Sequence, residues 1–288
     1  MSLNVYGELP RVTRRRFLAG ATALAASVAV PLIAHSQFFD VPFVPTPQVV
    51  VDEMLRLAGV GPRDTVYDLG SGDGRIVLTA ARKFGAQGVG VELDDHLIYQ
   101  SEEGARAYNV LDRVKFLQQD FFKTDFSQAT VITMYLLPGV MNRLRERMLE
   151  LKPGTRLVAH DFDFEDWKPD RKTTIRKNVF LWIVPARVAG KWRVRTGVPG
   201  GEHMFDMELR QKYQEIDGFA RFDALPGGLW EPRISGERVS FVVVDGRDRD
   251  HEASMYFEGR VSGGAMEGDV VRSVGNEQAR FKWTAVRQ

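Results

Sequence analysis

The spacing of apolar positions changes character twice along the chain. In QVVVDEMLRLAGV (48–60) apolar residues recur at helical spacing and stop at Gly59, which predicts an amphipathic helix. TVYDLG (65–70) then reads as a short strand and GRIVLTAARKFG (74–85) as a helix closed by Gly85. The alternation continues through strand GVGVEL (88–93), a helix over 95–111, strands VKFLQQD (114–120) and TVITMYLLP (130–138), a helix over 139–154, and strand TRLVAHDF (155–162). Strands alternating with helices predict right-handed βαβ units around a parallel sheet covered on both faces. From about Val179 the helical period is gone. Short runs such as VFLWIVPA, GKWRVRTG, RVSFVVVDG and RFKWTAV recur between glycine-containing turns, which predicts an antiparallel all-β domain, either a barrel or a sandwich. The expected fold is therefore a Rossmann-like α/β domain over 37–186 and a smaller β-rich domain over 187–288.

The first 36 residues fall outside that pattern. Thr13-Arg14-Arg15-Arg16-Phe17-Leu18 matches the twin-arginine export pattern, an Ala-rich apolar stretch runs from Phe17 to Ala34, and Ala34 and Ser36 frame a cleavage site before Gln37. The stretch is almost long enough to span a bilayer, so an uncleaved inner-membrane anchor stays open beside a cleaved signal. Either way the arginines favour the cytoplasmic side, and the chain beyond the leader faces outward. The leader predicts the twin-arginine translocase as a partner and the periplasm as destination; a leader that does not work leaves the protein cytoplasmic.

Composition narrows the chemistry. A net charge of +1 gives none of the basic field that nucleic-acid binding needs, and the run GRDRD (246–250) reads as solvated turn residues. There is no cysteine, hence no disulfide, thiolate nucleophile or Cys-ligated zinc, and the five histidines show no metal-ligand spacing. No metal is expected.

Gly70-Ser71-Gly72-Asp73-Gly74 follows the first strand. In an open parallel sheet ligands bind beyond the carboxyl ends of the strands, and glycines there let a ligand touch the backbone. A dinucleotide site asks for G-x-G-x-x-G, but here the position of the third glycine is Arg75. Asp68, two residues before the first glycine, would meet a bound cation and repel a pyrophosphate. Glu92 ends the second strand, where a carboxylate can accept two ribose hydroxyls, and Asp120-Phe121 ends the third, where the pair can bond an adenine amine and cover its ring.

That combination resembles motif I of the class I S-adenosylmethionine-dependent methyltransferases. With PFVPTP (42–47), GVELD (90–94), FSQATVITMYLLPGVM (126–141) and WKPD (167–170), DLGSGDGRIVLTAA (68–81) looks like the small lysine methyltransferases related to the mitochondrial enzymes that act on the ATP synthase c-subunit and the adenine nucleotide translocase. The glycine loop is also similar to that of the Dot1-type lysine methyltransferases. The resemblance covers about 42–170 and implies S-adenosyl-L-methionine held by Thr46, Asp68, Gly70, Ser71, Gly72, Glu92, Asp120 and Phe121. It implies a protein-lysine acceptor, with a membrane or envelope protein as a candidate partner. The relatives lack a β-rich tail.

The acceptor side of this fold lies at the end of the fourth strand, here Met134-Tyr135-Leu136-Leu137-Pro138. The Asn/Asp-Pro-Pro-aromatic run of enzymes that methylate base amines is missing. A lysine acceptor has to be neutral, and with an ordinary pKa of about 10.4 it needs an apolar entrance that lowers it. Tyr135 is expected to shape that entrance, and Asp161 or Asp163, after the fifth strand, to take the proton. Two other functions stay open: an exported nucleoside-binding protein that keeps the fold without catalysis, and a small-molecule methyltransferase.

Overall fold

The computed structural model describes residues 43–198, 201–222, 225–244 and 253–288. The leader, its cleavage site and the 246–250 run lie outside them.

The βαβ pattern becomes a seven-stranded sheet. Helix α1 (Gln48–Leu57) precedes β1 (Thr65–Leu69), α2 (Arg75–Phe84), β2 (Gln87–Glu92), α3 (Asp95–Ala107) and β3 (Val114–Gln118). The chain then crosses to β4 (Val131–Met134), α4 (Pro138–Leu149) and β5 (Arg156–His160), and ends the sheet with β6 (Arg171–Ile175) and β7 (Lys177–Ile183). Strand order is β3-β2-β1-β4-β5-β7-β6. The order reverses between β1 and β4, so their carboxyl ends open the crevice in which such sheets bind ligands.

Alternation within each strand assigns its two faces. Val66, Val131, Val158, Val179 and Leu181 pack under α1 and α2, whereas Tyr67, Ile132, Leu157, Phe180 and Trp182 pack under α4 with Met141, Leu144 and Met148. A sheet buried on both sides explains why its strands read as nearly continuous apolar runs. Asp94 starts α3 by accepting from the amides of His96 and Leu97, and Pro138 occupies the first turn of α4.

Two details differ from expectation. VFLWIVPA (179–186), read with the β-rich runs although inside the 37–186 bound, is a strand of the first sheet: β7 pairs antiparallel with β5 (His160 with Val179, Arg156 with Ile183) and makes the sheet mixed. A hydrophobic run long enough for a central strand carries no mark of its direction. The fourth strand also stops at Met134: Tyr135–Leu137 form the connection into α4, since Pro138 presets a helical start.

The β-rich segment is a closed eight-stranded antiparallel barrel: β8 (Gly190–Val198), β9 (Gly201–Lys212), β10 (Glu215–Phe222), β11 (Leu225–Ser235), β12 (Arg238–Val244), β13 (Ala253–Ser262), β14 (Ala265–Val274) and β15 (Glu277–Arg287). Consecutive strands are neighbours throughout, and β15 closes on β8 with Trp283 opposite Thr196. Inward residues alternate with outward ones, and Trp192, Phe205, Phe222, Phe241, Phe257 and Trp283 fill the interior. Close packing asks for glycine at position 259, where a Cβ would come within 2.7 Å of the Trp283 ring.

The barrel's core is separate from the sheet's, so Trp283→Ala should cost about 3–5 kcal/mol of stability while leaving donor affinity unchanged. Urea unfolding together with titration calorimetry checks both halves of that expectation.

Candidate active site

The site is built where β1, β2, β4 and β5 end. Gly70 and Gly72 adopt φ of +75° and +54°, the left-handed region that favours glycine. A Cβ on Gly72 would stand 2.1 Å from Cε2 of Phe43, so the backbone there is approached directly by a ring from the N-terminal segment. The amides of Gly70 and Ser71 donate to the Val91 carbonyl at 2.9 and 3.0 Å, which ties the loop to β2. Glu92 completes the tie. Its Oε2 accepts from the Gly72 amide at 2.9 Å, and Oε1 accepts from the amides of Leu93 and Asp94. The carboxylate therefore organises the loop and keeps one lone pair, on Oε2, for a further donor.

Asp68 is buried at the end of β1, and its Oδ1 accepts from Thr133 Oγ1 on β4 at 2.7 Å. Burial, reinforced by the negative charges of Glu92 and Asp73, pushes its pKa up to about 7 despite that hydrogen bond. Ser71 Oγ is buried with no hydrogen-bond partner among the described residues. A buried, reluctant carboxylate beside an unpartnered hydroxyl and a glycine cradle is a site for a cationic, hydrogen-bonding ligand. The sulfonium and amino group of S-adenosyl-L-methionine fit that donor set. Asp120 lies beyond β3 and caps the Phe122 amide through Oδ1 at 2.8 Å, and Phe121 packs half-buried against the sheet's core at 4.9 Å from Phe122. Thr46 is buried on the other side: its carbonyl accepts from Arg75 Nη1 at 3.0 Å, and Arg75 is paired to Asp73 of the loop.

On the acceptor side the structure joins residues that the sequence left apart. Tyr135 is half-buried, with the His160 ring 4.1 Å from its own (centroid to centroid) and Phe162 stacked at 6.0 Å and 21°. His160, at the end of β5, is buried with Nδ1 hydrogen-bonded to Thr46 Oγ1 at 3.2 Å and Nε2 unpartnered among the described residues. Burial holds its pKa below the ordinary imidazole value, so the ring is neutral at pH 7. Sequence spacing read this histidine as ordinary, because nothing along the chain indicates that Thr46 and Tyr135 meet on it.

Asp161 has φ +69° and accepts from Lys177 Nζ at 2.9 Å, so it is occupied by a lysine of its own chain. That bond raises the Lys177 pKa, and the Tyr135 phenol lies within electrostatic reach of the same ammonium. Asp163 caps its own loop by accepting from the Glu165 amide at 3.0 Å. No group of three or more metal-ligating side chains occurs among the described residues.

A sheet in this order with a glycine loop, a buried acid at the end of β1 and a carboxylate at the end of β2 defines a class I methyltransferase. Comparison with known proteins narrows this. Residues 68–171 match the ANTKMT methyltransferase domain. A protein-lysine N-methyltransferase of Saccharolobus islandicus is 46% identical over 151 residues, which is 50% of this chain and 94% of the relative. The ATP synthase C-subunit lysine N-methyltransferase of Mus musculus is 35% identical over 156 residues, 54% of this chain and 62% of that protein's length. An RNA methyltransferase of Salinibacter ruber, solved with S-adenosyl-L-homocysteine, is 50% identical and covers 50% of this chain and 96% of its own. Its TM-score is 0.49. The chain belongs to the ANTKMT methyltransferase-domain family. It is an S-adenosyl-L-methionine-dependent methyltransferase.

Asp68 makes stability pH-dependent in a defined direction. Its folded pKa of about 7 lies above the unfolded value, so folding favours the protonated form. The corresponding stability is present below about pH 4 and is lost as pH rises through 7. Asp68→Asn should remove that fall between about pH 4 and 7, read by urea unfolding, and should weaken donor binding at pH 8.

Proposed function

We propose that the chain is a protein-lysine N-methyltransferase that holds S-adenosyl-L-methionine against the glycine loop and admits a lysine beside Tyr135. The observation that carries this is the wall of Tyr135, His160 and Phe162 at the carboxyl ends of β4 and β5, tied to the glycine loop through Thr46 and Arg75: aromatic, with an uncharged imidazole, it suits the stem and amine of a lysine. The names of the archaeal and mouse relatives support the same acceptor class. Asp68 would face the donor's amino group, Glu92 its ribose, and Asp120 with Phe121 its adenine, while Thr46 closes the segment over it. When bound, the donor supplies an electrophilic methyl carbon on a sulfonium.

The residues of this chain then position the amine. Tyr135, His160 and Phe162 make an aromatic wall whose imidazole carries no charge, so an ammonium entering there is desolvated without being repelled. Desolvation lowers the lysine pKa and frees the lone pair for in-line attack, with much of the rate coming from placement. Because Asp161 already holds Lys177, it takes the incoming proton only if Lys177 gives way.

Glu92→Ala removes an acceptor of ribose hydroxyls, and charge-assisted bonds are worth about 1.5–3 kcal/mol each. With one free lone pair on that carboxylate, donor affinity should fall by about 1.5–3 kcal/mol in titration calorimetry, with a melting curve to show that the glycine loop persists. Tyr135→Phe should lower turnover more than donor affinity. Mass spectrometry of cell proteins with and without the gene should show methyl-lysine that depends on it; its absence, with donor binding intact, would favour a non-catalytic or small-molecule role.

The leader supports an exported, periplasmic protein delivered by the twin-arginine translocase, with a membrane or envelope protein as acceptor. Cells carrying the wild type should yield mature protein starting near Gln37 in the periplasm, and cells carrying Arg14→Lys/Arg15→Lys should not. Full-length cytosolic protein in both would end the export reading.

A further inference from the structure

We infer that the barrel positions the acceptor side of the active site, acting through Tyr213 and Gln214 in the hairpin that joins β9 to β10. The inference rests on the reading that the acceptor enters beside Tyr135.

The segment that leaves β5 carries Phe162, the outer ring of the aromatic wall. It is not a relaxed loop. Asp161 and Glu165 take φ of +69° and +59°, a region that side chains other than glycine rarely adopt and that persists only where surrounding structure over-determines it. On one side that structure is α4, where Asn142 Nδ2 donates to Glu165 at 2.7 Å and Arg145 bonds Asp166 at 2.5 Å.

The other side is the barrel. Trp167 is buried, and the Tyr213 ring stacks on it at 5.3 Å and 22°. The Tyr213 hydroxyl donates to Asp166 Oδ2 at 3.0 Å. Gln214 closes a two-way clamp: Oε1 accepts from Trp167 Nε1 at 2.7 Å, and Nε2 donates to the Lys168 carbonyl at 2.5 Å. Tyr213 itself has φ +56°, so the hairpin as well as the loop is shaped for the contact.

A second contact keeps the hairpin from swinging. The Gly236 carbonyl, between β11 and β12, accepts from the Ala186 amide at 2.8 Å, and a Cβ on Gly236 would stand 3.0 Å from the Gly154 Cα. The barrel is thus fixed at two places, and the polar bonds from Tyr213 and Gln214 to the first domain end on residues 166–168. The donor residues Asp68, Glu92 and Thr46 lie on other segments. A shift of the loop would move Phe162 against Tyr135 and leave the glycine cradle in place. The family match closes at Arg171 and the barrel begins at Gly190, so the clamp is an addition to the shared domain.

The test uses full-length Tyr213→Ala, Gln214→Ala and Tyr213→Phe, with donor affinity by calorimetry, methyl transfer to poly-L-lysine, and amide hydrogen exchange of residues 161–168. Both alanine variants should keep the donor Kd within about twofold, raise KM for poly-L-lysine about tenfold through misplacement of the wall, and speed exchange at 161–168 selectively. Tyr213→Phe, which keeps the ring on Trp167, should recover most of the loss. Faster exchange with unchanged transfer would overturn the inference, as would a parallel loss of donor affinity. If Tyr213→Ala does not fold, Gln214→Ala, which removes two hydrogen bonds without removing a packed ring, decides. A wild type that binds the donor but transfers nothing to poly-L-lysine would count against the lysine acceptor instead. The clamp then stands or falls on exchange, and unchanged exchange at 161–168 in the variants overturns it.

Discussion

A carboxylate buried at the end of β1 is the constraint on which the rest of this site depends. Asp68 cannot be hydrated, and within the protein its side chain accepts one short hydrogen bond from Thr133. Left ionised it is costly, which is why its pKa rises to about 7. A cation brought to it relieves the cost, so the binding energy of a positively charged ligand is concentrated there. The loop around it is arranged accordingly: glycines at 70 and 72 let the backbone come close, Glu92 pins the loop to β2, and Arg75 neutralises Asp73 while reaching back to Thr46.

Much of this half of the molecule was legible along the chain. Alternating periods located helices and strands, and the glycine loop with acidic residues at three strand ends, taken in order, resembled a methyl-donor site. What stayed hidden depends on register across the sheet. VFLWIVPA reads as a strand, yet nothing in it says that it runs antiparallel beside β5. His160 and Lys177 look unremarkable in sequence, because Tyr135 meets His160 only once β4 and β5 are paired, and Asp161 meets Lys177 only once β5 and β7 are. The lysine that this pairing places on Asp161 has no signal in the sequence either. The barrel was legible as strands between turns, but its closure on β8 and its grip on Trp167 are long-range contacts with no local signature.

The barrel's own chemistry points the same way. Small barrels can hold a ligand in the interior, but here six large aromatic rings fill it and the opposed glycines at 259 and 268 bring two strands close beneath Trp283. Its contribution must therefore come from its outside and its ends. The archaeal relative is covered over 94% of its length by half of this chain. Methyl transfer in the family is thus compatible with the sheet alone, and an added module is free to act on which acceptor is accepted and how it is held.

Charge bookkeeping explains why the two sides of the site are built so differently. The donor is a cation and the acceptor arrives as one, so two like charges must come within bonding distance. On the glycine-loop side the carboxylates of Asp68 and Glu92 supply negative charge, Asp73 being paired to Arg75. On the other, burial keeps His160 uncharged and the wall is aromatic, so an ammonium finds ring faces there rather than a full opposite charge. The bound donor then lowers the pKa of the entering amine further, since a nearby like charge disfavours the protonated form. An acceptor wall rich in carboxylates would bind the lysine more tightly but hold its proton, as Asp161 does for Lys177. Weak electrostatic welcome and firm geometric placement are therefore complementary requirements, and a rigid Phe162–Tyr135 wall serves the second without compromising the first.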